Sequence, residues 1–331
     1  MTLYITASLI LIIILLLYFR IADHFNIIDK PNQRSSHIDI TIRGGGIIFP
    51  VAALLWFLMF GFYQPWVIFA LLALSTVSFL DDVITLSNKI RIIIHIAAVS
   101  ILFWQLQIFE LPWYFVIIIY IFTIGWINAF NFMDGINGIT SFYSLVGFGT
   151  ILWLYNHLPL PGFDNLSSLI IILIISLIIF SFFNARKRAK TFAGDVGSVS
   201  LAFLLAWFII KLIVETGRIE YILFVSLYGI DSVVTIIYRL KRKENIFKAH
   251  RTHLYQYLSN EYGLPHLLVS AFYAFVQLSI NIITIYLIKI DIMSIGLFAF
   301  MLILLSFVYL IIRYVVSIKL SSMSKSNSSI S

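Results

Sequence analysis

Long runs of apolar residues, each close to the length of a bilayer-crossing helix, follow one another along almost the whole chain. A helix rises 1.5 Å per residue, so a hydrocarbon core about 30 Å thick takes roughly 20 residues, with a working range of about 17 to 25. On that measure the pattern predicts about eleven spans, over residues 3–19, 44–63, 66–80, 92–106, 112–130, 139–156, 167–184, 197–214, 219–239, 266–288 and 292–318. The third and fourth are short and are expected to extend into their flanks. The first run has no Lys or Arg among residues 1–4 and no small-x-small cleavage pattern after it, so it is expected to be a retained helix. The expected fold is an all-α integral membrane protein with a single transmembrane domain over residues 1–320. The Ser-rich segment 321–331 is expected to be a disordered tail.

Composition excludes a water-soluble globule. Of 331 residues, 61% are hydrophobic and only 11% charged, against about half and about a quarter in soluble domains. Cysteine is absent, which removes disulfides and Cys-based zinc sites. The net charge of +7 comes from short basic clusters between apolar runs. All but three of the 22 lysines and arginines, the exceptions being Lys211, Arg218 and Lys289, lie in or beside the loops that follow odd-numbered spans. The positive-inside rule makes that side cytoplasmic, with the N-terminus outside and the C-terminus inside. Orientation then accounts for the basic clusters, and no nucleic acid partner is expected.

The unusual polar motifs fall on the same side. Asp81-Asp82 closes the third span, and two adjacent carboxylates at membrane depth repel each other and resist desolvation. They either sit among headgroups or are offset by a cation. Asn128, Asn131, Asp134, Gly135, Asn137 and Gly138 end the fifth span without any basic residue. Asn128 and Asn131 share a helix face. An ordinary Asn/Gly turn is one reading; the other is a set of carboxamides and a carboxylate suited to Mg²⁺, a phosphate or a nucleobase edge. Asp195, in Gly194-Asp195-Val196-Gly197-Ser198, opens the eighth span and is either a helix cap or part of an anion or metal site. His250, Arg251 and His253 lie in the longest cytoplasmic loop, as an interfacial basic segment or as phosphate ligands. The first loop carries Asp29, Arg34, Ser35, His37 and Arg43-Gly44-Gly45-Gly46, whose glycines permit close approach of the backbone to an anion. Inside the spans, His95 reads as a packing residue, whereas an isolated Asp231 is harder to explain by packing.

In this order the motifs resemble the polyprenyl-phosphate N-acetylhexosamine-1-phosphate transferases, from about Asp29 to Gln256. The late loop, and Leu86-Ser87-Asn88-Lys89-Ile90-Arg91, are similar to the branch that initiates O-antigen and common-antigen chains rather than to the muramoyl-pentapeptide branch. Thr85 stands where that second branch has Lys, which leaves Lys89 or Arg91 for the role. The resemblance implies a phosphoglycosyltransferase of the bacterial inner membrane with its active site facing the cytoplasm. It would move sugar-1-phosphate from a UDP-N-acetylhexosamine to undecaprenyl phosphate and release UMP by direct attack. It further implies Mg²⁺, with Mn²⁺ as an alternative, held by Asp195, Asp134 and Asn131. Asp81, Asp82, Asp195, His250 and His253 would be catalytic, and Asn128, Asn131, Asn137, Lys89, Arg251 and Arg43 would bind substrate. Lipid-facing helices would also admit a homodimer. The competing class is an ion-coupled transporter, but carriers cluster their intramembrane charges near mid-bilayer rather than at span ends.

Overall fold

The computed structural model describes residues 2–31, 36, 39–84, 86–158, 166–246 and 250–328, with side chains up to Leu320. Arg34, Ser35, His37 and Thr85, singled out above, lie outside the described residues. The long helices are α1 (Thr2–His24), α2 (Ile48–Met59, led in by a 3-10 turn at Gly45–Ile47), α3 (Pro65–Ile84), α4 (Asn88–Gln105), α5 (Trp113–Met133), α6 (Ile139–His157), α7 (Leu166–Asn184) and α8 (Gly194–Thr216). A 3-10 segment, Ile219–Val225, runs into α9 (Ser226–Lys241). A short α10 (Leu254–Gln256) continues as a π turn, and α11 (His266–Lys289) and α12 (Ile295–Ser328) close the chain. Each predicted apolar run is therefore helical. In lipid a backbone must satisfy its own N–H and C=O groups, which a helix does within the segment.

Eight of these units are long and apolar enough to cross a membrane: α1, α3, α5, α7, α8, Ile219–Lys241, α11 and α12. Among the described residues, α2, α4 and α6 fall short of that combined measure of length and apolarity. α2 has 12 residues. α4 carries Lys89, Arg91 and His95, and α6 is diluted by Ser, Thr and Tyr. Helix ends follow from local chemistry. Pro65 starts α3 where its missing N–H costs nothing, and Gly217, with φ of 69°, ends α8 in the left-handed region.

α8 is the axis of the bundle. Every residue from Val196 to Ile209 is buried, against α3, α5, α2 and α6. α1 and α7 flank α2, and α11 packs on α6 and on the 3-10 segment before α9. α12 lies at the edge, resting on α9 and exposing most of its apolar side chains. In the loop between α1 and α2 two short strands, β1 (Ile28–Asp29) and β2 (Thr41–Ile42), pair antiparallel. Sequence periodicity gave no sign of them.

Candidate active site

One end of the bundle brings together the C-termini of α3 and α5, the N-termini of α4 and α8, and the 41–46 and 250–253 loops. The 41–46 loop is held there by the segment before α8. Phe192 N–H donates to Ile42 O at 2.8 Å, Gly45 N–H to Phe192 O at 2.9 Å, and Gly46 N–H to Ala193 O at 3.0 Å. This zipper needs bare glycine. A Cβ on Gly46 would lie 2.3 Å from Gly197 Cα and 2.6 Å from Ala193 O. The Tyr18 hydroxyl donates to Arg43 O at 2.6 Å and fixes the loop from α1.

The Asp pair divides its work. The Asp82 side chain is fully enclosed and accepts the N–H groups of Asp195 at 3.0 Å and Val196 at 3.1 Å. It also pairs with Arg43 Nε at 2.8 Å. α8 begins after Ala193, which has no capping side chain, so α3 supplies the carboxylate that an N-cap residue normally provides. This corrects the sequence reading in which Asp195 caps its own helix. Asp81 accepts from Leu86 N–H at 2.5 Å and pairs with Arg91 Nη1 at 2.9 Å. The other arm of the same guanidinium reaches Asp195 at 3.2 Å. Arg91 thus bridges two carboxylates from different helices, a geometry the forked guanidinium suits and an ammonium does not. Lys89, the other candidate for that role, is exposed on the first turn of α4.

α5 contributes the next wall. Asn131 Oδ1 accepts from Ser198 Oγ at 2.6 Å, which ties α5 to the first turn of α8. Asp134 follows the helix end and accepts from Thr140 Oγ1 at 2.5 Å. Burial pushes its carboxyl up to about 6; the Thr140 hydroxyl opposes that rise and the Asp195 charge adds to it. Asn128 donates to Ile124 O of its own helix at 2.8 Å. Asn137 is buried, and its amide donates to Arg186 O at 2.7 Å. It tethers the 185–190 segment beneath the site, with Asn184 bonding Gly138 N–H and Thr191 O beside it.

The histidine loop lies against the last turn of α5. The His250 ring meets Phe132 edge-on, and the Tyr255 hydroxyl donates to Phe132 O at 3.0 Å. His250 stacks on His253 with centroids 5.0 Å apart. Arg251 is half-buried, 3.9 Å from Glu261. His253 Nδ1 lies 2.8 Å from Asp231 Oδ1. Burial holds the His250 imidazole down at about 4. A free imidazole titrates near 6.5, so His250 is neutral at pH 7. Protonation therefore favours the unfolded chain: His250's contribution to stability is complete above about pH 6.5 and is lost as pH falls toward 4. Detergent melting curves of wild type and His250→Gln are expected to diverge less as pH falls through that window, with the wild type losing more.

Sequence reasoning placed Asp81, Asp82, Asp134, Asp195 and Asn131 at one site, and the structure gathers them there. It gave no role to Ser198 or Tyr255, whose partners lie 67 and 123 residues away in sequence, nor to Thr140, six residues from Asp134. Arg313 was counted only as an orientation charge, although an arginine inside an apolar run was itself a signal.

Fold and site define a polytopic helical membrane protein with a charge-lined polar site at one end of its bundle. Residues 65–213, from α3 to α8, match the model of glycosyl transferase family 4. Two similar proteins share a description. A probable undecaprenyl-phosphate N-acetylglucosaminyl 1-phosphate transferase of Bacillus subtilis is 26% identical over 284 residues, covering 80% of this chain and 78% of that one. The undecaprenyl-phosphate alpha-N-acetylglucosaminyl 1-phosphate transferase of Escherichia coli K12 is 28% identical, covering 75% and 74%. A phospho-N-acetylmuramoyl-pentapeptide-transferase of Streptococcus thermophilus is 29% identical, but over only 52% of this chain. The wider coverage favours the first branch, as the histidine loop predicts.

Proposed function

We propose that this protein is an enzyme that transfers N-acetylhexosamine-1-phosphate from a UDP-linked donor to undecaprenyl phosphate, releasing UMP at the cytoplasmic face of a bacterial inner membrane. The observation that carries the reading is the cluster in which Arg91 bridges Asp81 and Asp195 and Arg43 pairs with Asp82. It lies beside Asn131 and Asp134, in the stretch that matches the family 4 model. All eleven long helices cross the bilayer in this reading, with the N-terminus outside, so that the site faces the cytosolic donor. The lipid diphosphate sugar formed would start an O-antigen or another surface polysaccharide.

Both substrates are anionic, so bringing them together requires positive charge. Arg43 and Arg91 at one wall and Arg251 at the other supply part of it. An acceptor phosphate oxygen attacks the sugar-bearing phosphorus; the new P–O bond forms as the bond to the UMP oxygen breaks. Asp81 orients the acceptor and His250 and His253 hold the diphosphate or sugar, while Asn128 lines the nucleotide side.

The donor set also fits a hard cation, because every side-chain ligand offered is oxygen. Among the described residues no three acidic or histidine side chains converge to hold a metal by themselves. That suits Mg²⁺, which is commonly held by one or two carboxylates together with substrate phosphates. Asp195, Asp134 and Asn131 would hold Mg²⁺, or Mn²⁺ in its place. When bound, the cation would offset the charge of the donor diphosphate and of the departing UMP.

Purified protein incubated with undecaprenyl phosphate and radiolabelled UDP-N-acetylglucosamine is expected to move label into butanol-extractable lipid. EDTA is expected to stop the transfer and added Mg²⁺ to restore it. If no label reaches lipid from any UDP-N-acetylhexosamine, the enzyme reading fails.

A further inference from the structure

α12 is the most lipid-exposed of the helices, yet it carries a buried arginine. Arg313, 4% exposed, donates through Nη1 to Thr235 Oγ1 at 2.8 Å and Tyr309 Oη at 3.2 Å. Through Nη2 it donates to Thr252 O, in the histidine loop, at 2.8 Å. Its guanidinium also lies over the Tyr238 and Tyr257 rings, 4.8 and 5.5 Å from their centroids. An arginine in hydrocarbon is costly, so a helix with an otherwise apolar face gains nothing in stability from carrying one unless its partners need it.

Those partners lead to His253. Thr235, which accepts from Arg313, donates to Asp231 Oδ1 at 3.3 Å. Asp231 has no exposure, and also accepts from Tyr273 Oη at 2.7 Å and faces His253 Nδ1 at 2.8 Å. A carboxylate accepts only, so Nδ1 must be the donor in that last contact. A neutral His253 is thereby held with its proton on Nδ1 and its lone pair on Nε2. Nε2 is buried and has no hydrogen-bond partner among the described residues. The His250 and Tyr255 rings both stack against it, with centroids 5.0 and 5.7 Å away, and restrain its rotation.

We infer that Arg313 and Asp231 are positioning residues that clamp the histidine loop from α12 and α9, fixing the His253 tautomer so that Nε2 is a hydrogen-bond acceptor for the hydroxyl or amide N–H groups of the donor sugar. The C-terminal helix is therefore a working part of the site, not only a membrane anchor. Its kinetic consequence rests on the transfer reaction proposed above; the clamp itself does not.

The test has two readouts. Selective ¹⁵N-histidine labelling, with His253 assigned by its loss in His253→Gln, is expected to show a protonated Nδ1 and an unprotonated Nε2 in the wild type. Asp231→Asn and Arg313→Ala are each expected to broaden or shift that pair. In the lipid-transfer assay both are expected to lower kcat about 10- to 100-fold, with KM for the UDP-sugar changed less than about threefold. The double variant is expected to be little worse than either single, since both act through one loop. Where Arg313→Ala yields no folded protein, Arg313→Lys carries the test: it keeps the charge, cannot reach Thr235 and Thr252 together, and is expected to recover only part of kcat. An unchanged His253 spectrum in the folded variants overturns the clamp, whatever the enzyme does. A wild type with the expected spectrum but no lipid product leaves the clamp standing and removes the reaction.

Discussion

Asp195→Asn is expected to lower sugar-phosphate transfer by about 100- to 1,000-fold, the range seen when one charge-stabilising group is removed from an active site. The substitution keeps the shape of the side chain and removes only its charge. Asp195 pairs through one oxygen with Arg91, which retains Asp81 at 2.9 Å when that partner is neutralised. The first turn of α8 is held by Asp82 through the backbone of Asp195 and Val196, and the substitution leaves that hold untouched. Melting temperature in detergent is therefore expected to change little while turnover collapses. A variant that transfers label at the wild-type rate would take Asp195 out of the mechanism.

The second large effect is on folding. Gly46→Ala places a methyl group 2.3 Å from Gly197 Cα and 2.6 Å from Ala193 O, both backbone atoms that have no side chain to swing aside. α8 is enclosed along its length, so it cannot retreat without disturbing α3, α5 and α2. The cost is expected to reach about 3 kcal/mol or more, the upper range for overpacking a filled interior. It should appear as a melting temperature lowered by several degrees and a lower yield of monodisperse protein. Ala at Gly149, where an added Cβ meets nothing within 4 Å, is the control and is expected to melt like the wild type. Equal melting of the two variants would show that the 41–46 loop is not locked to α8.

Apolar run length made all the long helices legible, because a membrane helix satisfies its own backbone and needs no partner to be recognised. Helix ends were less legible. The third run, 66–80, was expected to extend into its flanks, and α3 does continue to Ile84, which puts Asp81 and Asp82 on its last turns. The fourth, 92–106, was likewise expected to extend, but where it would start was not legible; α4 begins at Asn88, so Arg91 projects from a helix. The acidic and amide members of the site were legible because such groups are out of place beside apolar spans. Their pairings were not. Asp82 meets the α8 backbone more than a hundred residues away, and Arg313 meets Thr252 across 61. No local pattern encodes contacts of that range. Asp231 shows the limit well: its isolation in a span marked it, but only the fold names His253 as its partner.

The carboxylate that α3 lends to α8 has one more effect. A helix start usually attracts negative ligands, since its leading amides and the aligned peptide dipoles both favour them. Here two of those amides are already engaged by Asp82, so a phosphate arriving at α8 finds a resident anion in the berth. In the transfer reaction proposed above, recognition of the substrates would fall instead to the guanidinium groups of Arg43, Arg91 and Arg251, two of which are held in place by carboxylates of the same site.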